Sequence, residues 1–184
     1  MTITLIGYRG SGKSSIAPLL ATALDWNWID SDQVIEEEAG CTIRQIFESE
    51  GEAGFRARET QVLERLLKQP RLVIAAGGGA VLAPINRERM QAAGPVVWLC
   101  ASADTLASRI SGDQQSATRR PGLTALSASE EVASVLAYRL PIYLEAATIS
   151  VDADGRSLDE ITADILAQLP PFSDAANQTR GNAQ

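Results

Sequence analysis

The stretch Gly7-Tyr8-Arg9-Gly10-Ser11-Gly12-Lys13-Ser14 follows the short apolar run 3–6 and opens an amphipathic run. A glycine-rich loop of this composition between a strand and a helix is typical of phosphate-binding loops. Its glycines let backbone N–H groups turn inward on a β-phosphate, and the helix N-terminus adds its positive dipole. Lys13 would bridge the β- and γ-phosphate oxygens, and the Ser14 hydroxyl would bind Mg²⁺. The stretch predicts that a polyphosphate and Mg²⁺ are held at a helix N-terminus.

Short apolar runs alternate with longer helical patterns along the rest of the chain, which indicates an α/β fold with a mostly parallel sheet. The predicted strands are residues 3–6, 26–29, 72–76, 96–99 and 148–151. The predicted helices are 13–24, one that begins with a capping box at Thr42 and Gln45, one that carries residues 62–67 and ends at Pro70, 130–140, and 158–169. Pro18 cannot donate to the Ser14 carbonyl, so a local kink is expected in the first helix.

The composition limits the classes of protein that fit. A chain of 184 residues, 45% of them hydrophobic, predicts one domain over residues 1–169. It has no apolar run long enough to span a membrane and no secretory signal, so we expect a cytoplasmic protein without a membrane partner. The net charge of −7 argues against a nucleic-acid partner. We expect a monomer.

Two residue types restrict the chemistry. Histidine is absent, which excludes imidazole acid–base catalysis and imidazole metal sites. Cys41 and Cys100 form no CxxC pair, which fits reduced structural thiols better than a disulfide or a zinc site. A general base must therefore be a carboxylate, a lysine or a water.

Two carboxylates close the second predicted strand, in the sequence Trp-Ile-Asp30-Ser31-Asp32. Side chains two residues apart at a strand end point the same way, into the crevice where open α/β sheets bind ligands. One carboxylate could organise Mg²⁺ through water while the other accepts a hydroxyl proton from an acceptor substrate. The alternative is that Asp32 caps a helix over residues 33–38.

Arginines and glycines supply further candidates. Arg58 fits a solvated ion pair on a helix, and for Arg56 the choice between such a pair and a binding role stays open. The glycines at 77–79 after the third strand offer bare backbone N–H groups to a ligand, or else form a plain flexible turn. Residues 111–129 are predicted to be a mobile loop, with a lid at about 111–127 in which Arg119-Arg120-Pro121 could bring charge to a transferring phosphoryl group. The tail 170–184 is predicted to be disordered.

Six motifs together resemble the shikimate kinase family. They occur in order: GxxGxGKS, DSD at 30–32, IFESEGEAGFRARE, GGGAV at 77–81, RRP at 119–121 and RLPIY at 139–143. The resemblance implies a nucleoside-monophosphate-kinase-like, three-layer phosphate-loop fold with a five-stranded parallel sheet, a mobile lid and a shikimate-binding helical segment. It also implies transfer of the γ-phosphoryl group of ATP to the 3-hydroxyl of shikimate, with Mg²⁺ as cofactor.

The resemblance also implies roles for individual residues. ATP would be bound by Gly10, Ser11, Gly12, Lys13, Ser14, Ser15 and Arg120, with Arg109 and Arg156 near the adenine. Ser14 and, through water, Asp30 would hold Mg²⁺. Asp32 would orient and deprotonate the acceptor hydroxyl, with Lys13 and Arg120 also catalytic. Arg56 and Arg139 would clamp the shikimate carboxylate, while Gly78 and Gly79 would contact its hydroxyls.

Three features of the chain depart from the family pattern. The lid from Arg109 to Arg120 is a few residues longer than expected for the family, Arg-Pro-Gly-Leu replaces the usual Arg-Pro-Leu-Leu, and Pro18 stands where the family commonly has a glycine.

Two rival functions have to be weighed. One is another small-molecule kinase of this fold, such as gluconate kinase or a nucleoside-monophosphate kinase, and the other is a catalytically silent relative that binds nucleotide and serves a partner. A neutral polyol needs no pair of carboxylate-binding arginines, and a silent relative should have lost one of the catalytic residues.

Overall fold

The computed structural model of the chain describes residues 1–112 and 128–171. Five strands form one parallel sheet in the order β2-β3-β1-β4-β5. The strands are β1 Thr2–Ile6, β2 Asn27–Asp30, β3 Leu72–Ala75, β4 Val96–Cys100 and β5 Ile149–Asp152. The prediction of a five-stranded parallel sheet is confirmed, and each strand lies within one or two residues of its predicted bounds.

Helices connect the strands, as parallel pairing requires. They are α1 Lys13–Leu24, α2 Ser31–Ala39, α3 Ile43–Leu66, α4 Pro84–Ala93, α5 Ala103–Gly112, α6 Ala128–Ala146 and α7 Leu158–Gln168, with a 3₁₀ turn at Ala80–Leu82. Because successive residues of a strand face opposite sides of a sheet, the helices pack in two layers on two cores.

The two cores divide the residues of each central strand. Ile3 and Leu5 pack with α1 and α7, in a core that includes Ile16, Leu20 and Ile161. Ile6 packs with α2, α3, α4 and α6, in a core that includes Ile35, Phe55, Leu63, Met90 and Tyr143. The sheet is therefore buried on both faces, and only its edges and its carboxyl end are left for ligands.

Several predicted helix bounds differ from the structure. The two helices predicted after Thr42 are both present, because α3 consists of two helical segments joined at a kink, where Gly51 has non-helical φ and ψ; both segments face the same core. Both ends of the predicted loop 111–129 are helical, since α5 reaches Gly112 and α6 begins at Ala128; residues 113–127 lie outside the described residues. Helix α6 continues past Pro141, where the prediction ended at 140, whereas α1 has its predicted bounds and contains Pro18.

Some predictions lie outside the described residues. These are most of the lid, with Arg119, Arg120 and Pro121, and the tail from residue 172. Within residues 1–112 and 128–171, no helix has the length and apolar character that a membrane crossing requires.

Candidate active site

The phosphate-binding loop joins β1 to α1 and has no side-chain cap. Gly12 occupies the N-cap position with φ 98°, a left-handed conformation that favours glycine, and it provides no side-chain hydrogen bond to the helix. No side chain therefore competes with an anion at the N-terminus of α1, where the Ser15 N–H donates to the Gly12 carbonyl at 3.0 Å. Lys13 is buried, and its Nζ donates hydrogen bonds of 2.9 Å to the carbonyls of both Gly7 and Tyr8. The Lys13 side chain is thus held against the loop at which a phosphate would bind.

Ser14 and Asp30 meet beside this loop. The Ser14 hydroxyl donates to Asp30 Oδ2 at 2.6 Å. The second oxygen, Asp30 Oδ1, accepts from the Asp32 backbone N–H at 2.9 Å, so Asp30 is the N-cap of α2. The alternative that Asp32 caps this helix is therefore wrong, because the helix begins two residues earlier than that alternative requires.

The oxygens of Ser14 and Asp30 fit Mg²⁺. A hydroxyl and a carboxylate are hard oxygen donors, and they already converge at hydrogen-bond distance. No cluster of three or more acidic, cysteine or histidine ligands occurs among the residues that the structure describes. That suits Mg²⁺, which is usually held by one or two protein oxygens together with waters and substrate phosphates.

The Asp32 carboxylate faces the glycines that follow β3. A Cβ atom at Gly77 would lie 2.5 Å from Asp32 Oδ1 and 3.0 Å from Glu59 Oε1, so only glycine lets the two carboxylates approach this backbone. The Gly77 N–H donates to the hydroxyl of the buried Ser31 at 3.0 Å. These contacts fix the start of α2 against the end of β3 and place Asp32 at the carboxyl edge of the sheet.

Arg56 lies next to the same glycines, on α3. Its Nη1 donates to Oε2 of the fully buried Glu59 at 2.8 Å, and its Nη2 donates to Glu52 at 3.2 Å. Burial opposes the charge of Arg56, but Glu59 and Glu52 outweigh it and hold the pKa of Arg56 above its ordinary value. A Cβ at Gly79 would come within 2.6 Å of Arg56 Nη1. The guanidinium group therefore rests directly on the Gly79 backbone.

The bend in α3 sets the direction of the segment that carries Arg56. Gly51 has φ 69° and ψ −177°, a conformation essentially restricted to glycine. Phe47 and Phe55 stack across the bend on its buried side, with ring centroids 4.7 Å apart. On the exposed side, Arg58 makes two hydrogen bonds of 2.8 and 2.9 Å to the Glu50 carboxylate. Arg58 thus forms the solvent-facing ion pair that the sequence favours, and the pair spans the bend.

Arg139 and Tyr143 lie one turn apart on α6 and reach the same backbone oxygen. Arg139 Nη1 donates to the Gly78 carbonyl at 3.1 Å, and the Tyr143 hydroxyl donates to it at 2.8 Å. The Arg139 guanidinium also lies over the Tyr8 ring, 5.6 Å from its centroid. Burial raises the pKa of Tyr143 to about 12, an effect that the charge of Arg139 partly offsets.

A cleft of about 570 Å³ runs along the carboxyl edge of the sheet. Its lining includes loop residues 10–15, Asp30, Asp32, Gly77, Gly78, Arg109 and Arg156. Arg109 Nη2 donates to the Ala153 carbonyl at 3.0 Å, and Arg156 pairs with Asp164 at 2.8 Å. The cleft therefore joins the phosphate-binding loop to both carboxylates and to the two arginines that the resemblance assigns to the nucleotide.

Arg56, Gly79 and Arg139 do not line this cleft. The backbone of residues 77–79 connects them to the cleft. Asp32 faces this backbone at Gly77. Arg139 contacts it at Gly78 and Arg56 contacts it at Gly79. The structure thus brings together every candidate residue that it describes, in two neighbouring groups on either side of the glycines.

Sequence reasoning missed Glu59 and Tyr143. Glu59 looks like an ordinary charged helix residue, but it lies four residues after the buried Phe55, on the same face of α3, and is itself fully buried beside Arg56. For Tyr143, the spacing of four residues from Arg139 was the available signal, because such a spacing places two side chains on one helix face.

Comparison with known proteins gives a consistent family. The model of the shikimate kinase family matches residues 9–170. A shikimate kinase from Rhodopirellula baltica is 44% identical over 166 residues, which cover 90% of this chain and 89% of that protein. A structure of shikimate kinase from Acinetobacter baumannii in complex with shikimate is 35% identical, with a TM-score of 0.83 over 90% of each chain.

A gluconokinase from Sinorhizobium meliloti is also similar in structure. It has a TM-score of 0.51 and 20% identity over 90% of this chain and 89% of its own. At that identity the likeness is one of fold alone. The acceptor therefore has to be judged from the family match and from the residues around the glycines.

Proposed function

The chain belongs to the shikimate kinase family, and we propose that its two neighbouring groups of residues are the donor and acceptor sides of one active site. The reaction is transfer of the γ-phosphoryl group of ATP to the 3-hydroxyl of shikimate. The observation that carries the proposal is the 77–79 backbone, against which the general-base candidate Asp32 and the carboxylate-binding candidate Arg56 both lie.

On the donor side, the backbone N–H groups of residues 10–15 and the N-terminus of α1 bind the ATP phosphates. Lys13 exchanges one of its hydrogen bonds to the Gly7 and Tyr8 carbonyls for a phosphate oxygen, so its charge is already positioned before ATP arrives. Arg109 and Arg156, which line the same cleft, contact the nucleotide away from the transferred group. Arg120 remains a predicted phosphate contact outside the described residues.

Ser14 and Asp30 would hold Mg²⁺ at the phosphates, Ser14 directly and Asp30 through water. When bound, Mg²⁺ offsets the negative charge that develops on the phosphate oxygens during transfer. Asp30 keeps its oxygens oriented for this task because its Oδ1 is fixed by the Asp32 N–H.

On the acceptor side, Asp32 accepts the proton of the attacking hydroxyl. A carboxylate is the available base because the chain has no histidine. Arg56 and Arg139 bind the shikimate carboxylate, for which two guanidinium forks are well suited. The backbone N–H groups of Gly78 and Gly79 donate to the remaining hydroxyls. Gluconate also carries one carboxylate, so the choice of shikimate over gluconate rests on the family match.

The test is release of ADP by the purified protein with ATP and Mg²⁺, measured with shikimate, with gluconate and without an acceptor. We expect release that depends on shikimate. Folded protein that releases ADP only with gluconate, or equally without any acceptor, would overturn the assignment.

Asp32→Asn tests the base. We expect kcat to fall by about 10²- to 10⁴-fold while nucleotide binding, followed by calorimetry, is retained. Asp25→Asn is the matched control, because Asp25 is exposed at the C-cap of α1 with φ 55°, a conformation that asparagine tolerates. Equal turnover in the two variants would contradict the role of Asp32.

A further inference from the structure

Tyr143 is a buried tyrosine that the proposed reaction does not use. It lies on α6, four residues after Arg139, and its side chain is fully buried. Its ring stacks on that of Trp98 in β4, with centroids 5.6 Å apart and planes 13° from parallel. The position of its hydroxyl is therefore fixed by the core and does not depend on a ligand.

The Gly78 carbonyl has two donors in this structure, the Tyr143 hydroxyl at 2.8 Å and Arg139 Nη1 at 3.1 Å. A carbonyl oxygen accepts two hydrogen bonds through its two lone pairs, so both are used. The Gly78 backbone lies close to that of the phosphate-binding loop, since a Cβ at Gly78 would be 3.3 Å from the Arg9 backbone nitrogen, and this limits movement of Gly78 in that direction.

Acceptor binding changes the number of these donors. Under the proposed function, on which this step rests, the Arg139 fork turns to the carboxylate of shikimate and leaves the Gly78 oxygen. The Gly78 carbonyl is partly buried, so losing both protein donors costs it about the net value of a hydrogen bond, whereas keeping one donor avoids that cost. With Tyr143 in place, the oxygen keeps one hydrogen bond.

We propose that Tyr143 is a positioning residue for acceptor binding. Its hydroxyl keeps a hydrogen bond to the Gly78 carbonyl, so that the Arg139 guanidinium can leave that carbonyl and bind the acceptor. The high pKa of Tyr143 keeps this hydroxyl protonated, and so a donor, throughout the neutral range. Tyr143 does not touch the acceptor in this proposal. It acts through Arg139, because it lowers the free-energy cost of moving the Arg139 guanidinium away from the Gly78 carbonyl.

Tyr143→Phe is the test, because it removes one oxygen and keeps the ring on Trp98. We expect the KM for shikimate to rise by about two- to tenfold, as for one hydrogen bond lost at a partly buried carbonyl, while kcat and the KM for ATP stay close to wild type. Tyr138→Phe is the matched control, since the Tyr138 side chain is on the same helix and 72% exposed. It should leave all three parameters unchanged.

A second arm separates this role from a purely structural one. In an Arg139→Ala background no guanidinium leaves the Gly78 oxygen on binding, so adding Tyr143→Phe should no longer raise the KM for shikimate. An equal rise in both backgrounds, no rise in the wild-type background, or loss of the folded state in Tyr143→Phe alone would each overturn the proposal. Failure of the proposed function would appear separately, as wild-type protein without shikimate-dependent turnover.

Discussion

Replacing Gly79 by alanine tests the placement of Arg56 without disturbing the backbone. Gly79 has φ −106° and ψ 0°, which an alanine can adopt. The new methyl group, however, would lie 2.6 Å from Arg56 Nη1 and 2.7 Å from Nη2. Ordinary contact between such atoms begins at about 3.5 Å, so the guanidinium group must retreat by about 0.9 Å.

The size of the effect follows from what holds Arg56. Its Nη1 is 2.8 Å from the buried Glu59 carboxylate and its Nη2 is 3.2 Å from Glu52, so a retreat of that size distorts both ion pairs. Two parallel hydrogen bonds to a carboxylate require an accurately placed fork, and a misplacement of about 1 Å can cost up to about 100-fold. We expect the KM for shikimate to rise by about 10- to 100-fold. The melting temperature should change little, because the displaced atoms are the end of a flexible side chain.

The assay is steady-state kinetics with each substrate varied in turn, together with thermal unfolding. The KM for ATP is the internal control, since Arg56 does not line the donor cleft. Gly112→Ala is the matched control, because a Cβ at Gly112 meets no atom within 4 Å among the described residues. An unchanged KM for shikimate at an unchanged melting temperature would refute the reasoning, as would an equal rise in the KM for ATP.

Three further predictions concern the groups around this site. Replacing Glu50 or Arg58 by glutamine should raise the KM for shikimate about two- to fivefold, because the ion pair across the bend helps to orient the segment of α3 that carries Arg56. The exchange Glu50→Arg with Arg58→Glu should restore the KM, and an unchanged KM in the single variants would show that the pair does not orient α3. Glu59→Gln should lower the free energy of unfolding by about 1 to 3 kcal/mol in urea titrations, because the buried partner of Arg56 loses its charge; an unchanged midpoint would contradict this. Burial and a nearby aspartate raise the pKa of Cys100 to about 11, so its alkylation by iodoacetamide in the native protein should be slow at pH 8 and about tenfold faster per pH unit above it. A rate independent of pH, measured by mass spectrometry, would argue against that pKa.

The donor side of the site was predictable from the sequence because its residues are close together along the chain. Lys13 and Ser14 follow the glycines of one loop, and the strand before and the helix after that loop fix where they lie. Asp30 was also within reach, since it ends a strand that had to end at the ligand edge. Its use as the N-cap of α2 could not be predicted, because the choice between Asp30 and Asp32 depends on a difference of two residues in where the helix starts.

Apart from the carboxylates at 30–32, the acceptor side was predictable only through the resemblance. Arg56, Gly78 and Arg139 come from α3, the end of β3 and α6, and no local pattern states that these three segments meet. The bend at Gly51 was missed for a related reason, since a glycine inside a helical pattern does not reveal its own φ and ψ. Glu59 and Tyr143 were missed because burial of a polar side chain is decided by the layer packed above it.

The sequence by itself determined the phosphate-binding loop, the alternation of strands and helices, and the residue types that any catalysis must use. Each of these depends on neighbours within a few residues, where backbone geometry and hydrophobic period act directly. Only the tertiary structure decided that one short run of glycines touches Asp32, Arg139 and Arg56 in turn. The physical reason is packing. Whether side chains from distant segments can meet depends on how closely those segments approach each other, and at residues 77–79 the absence of a Cβ allows the close approach.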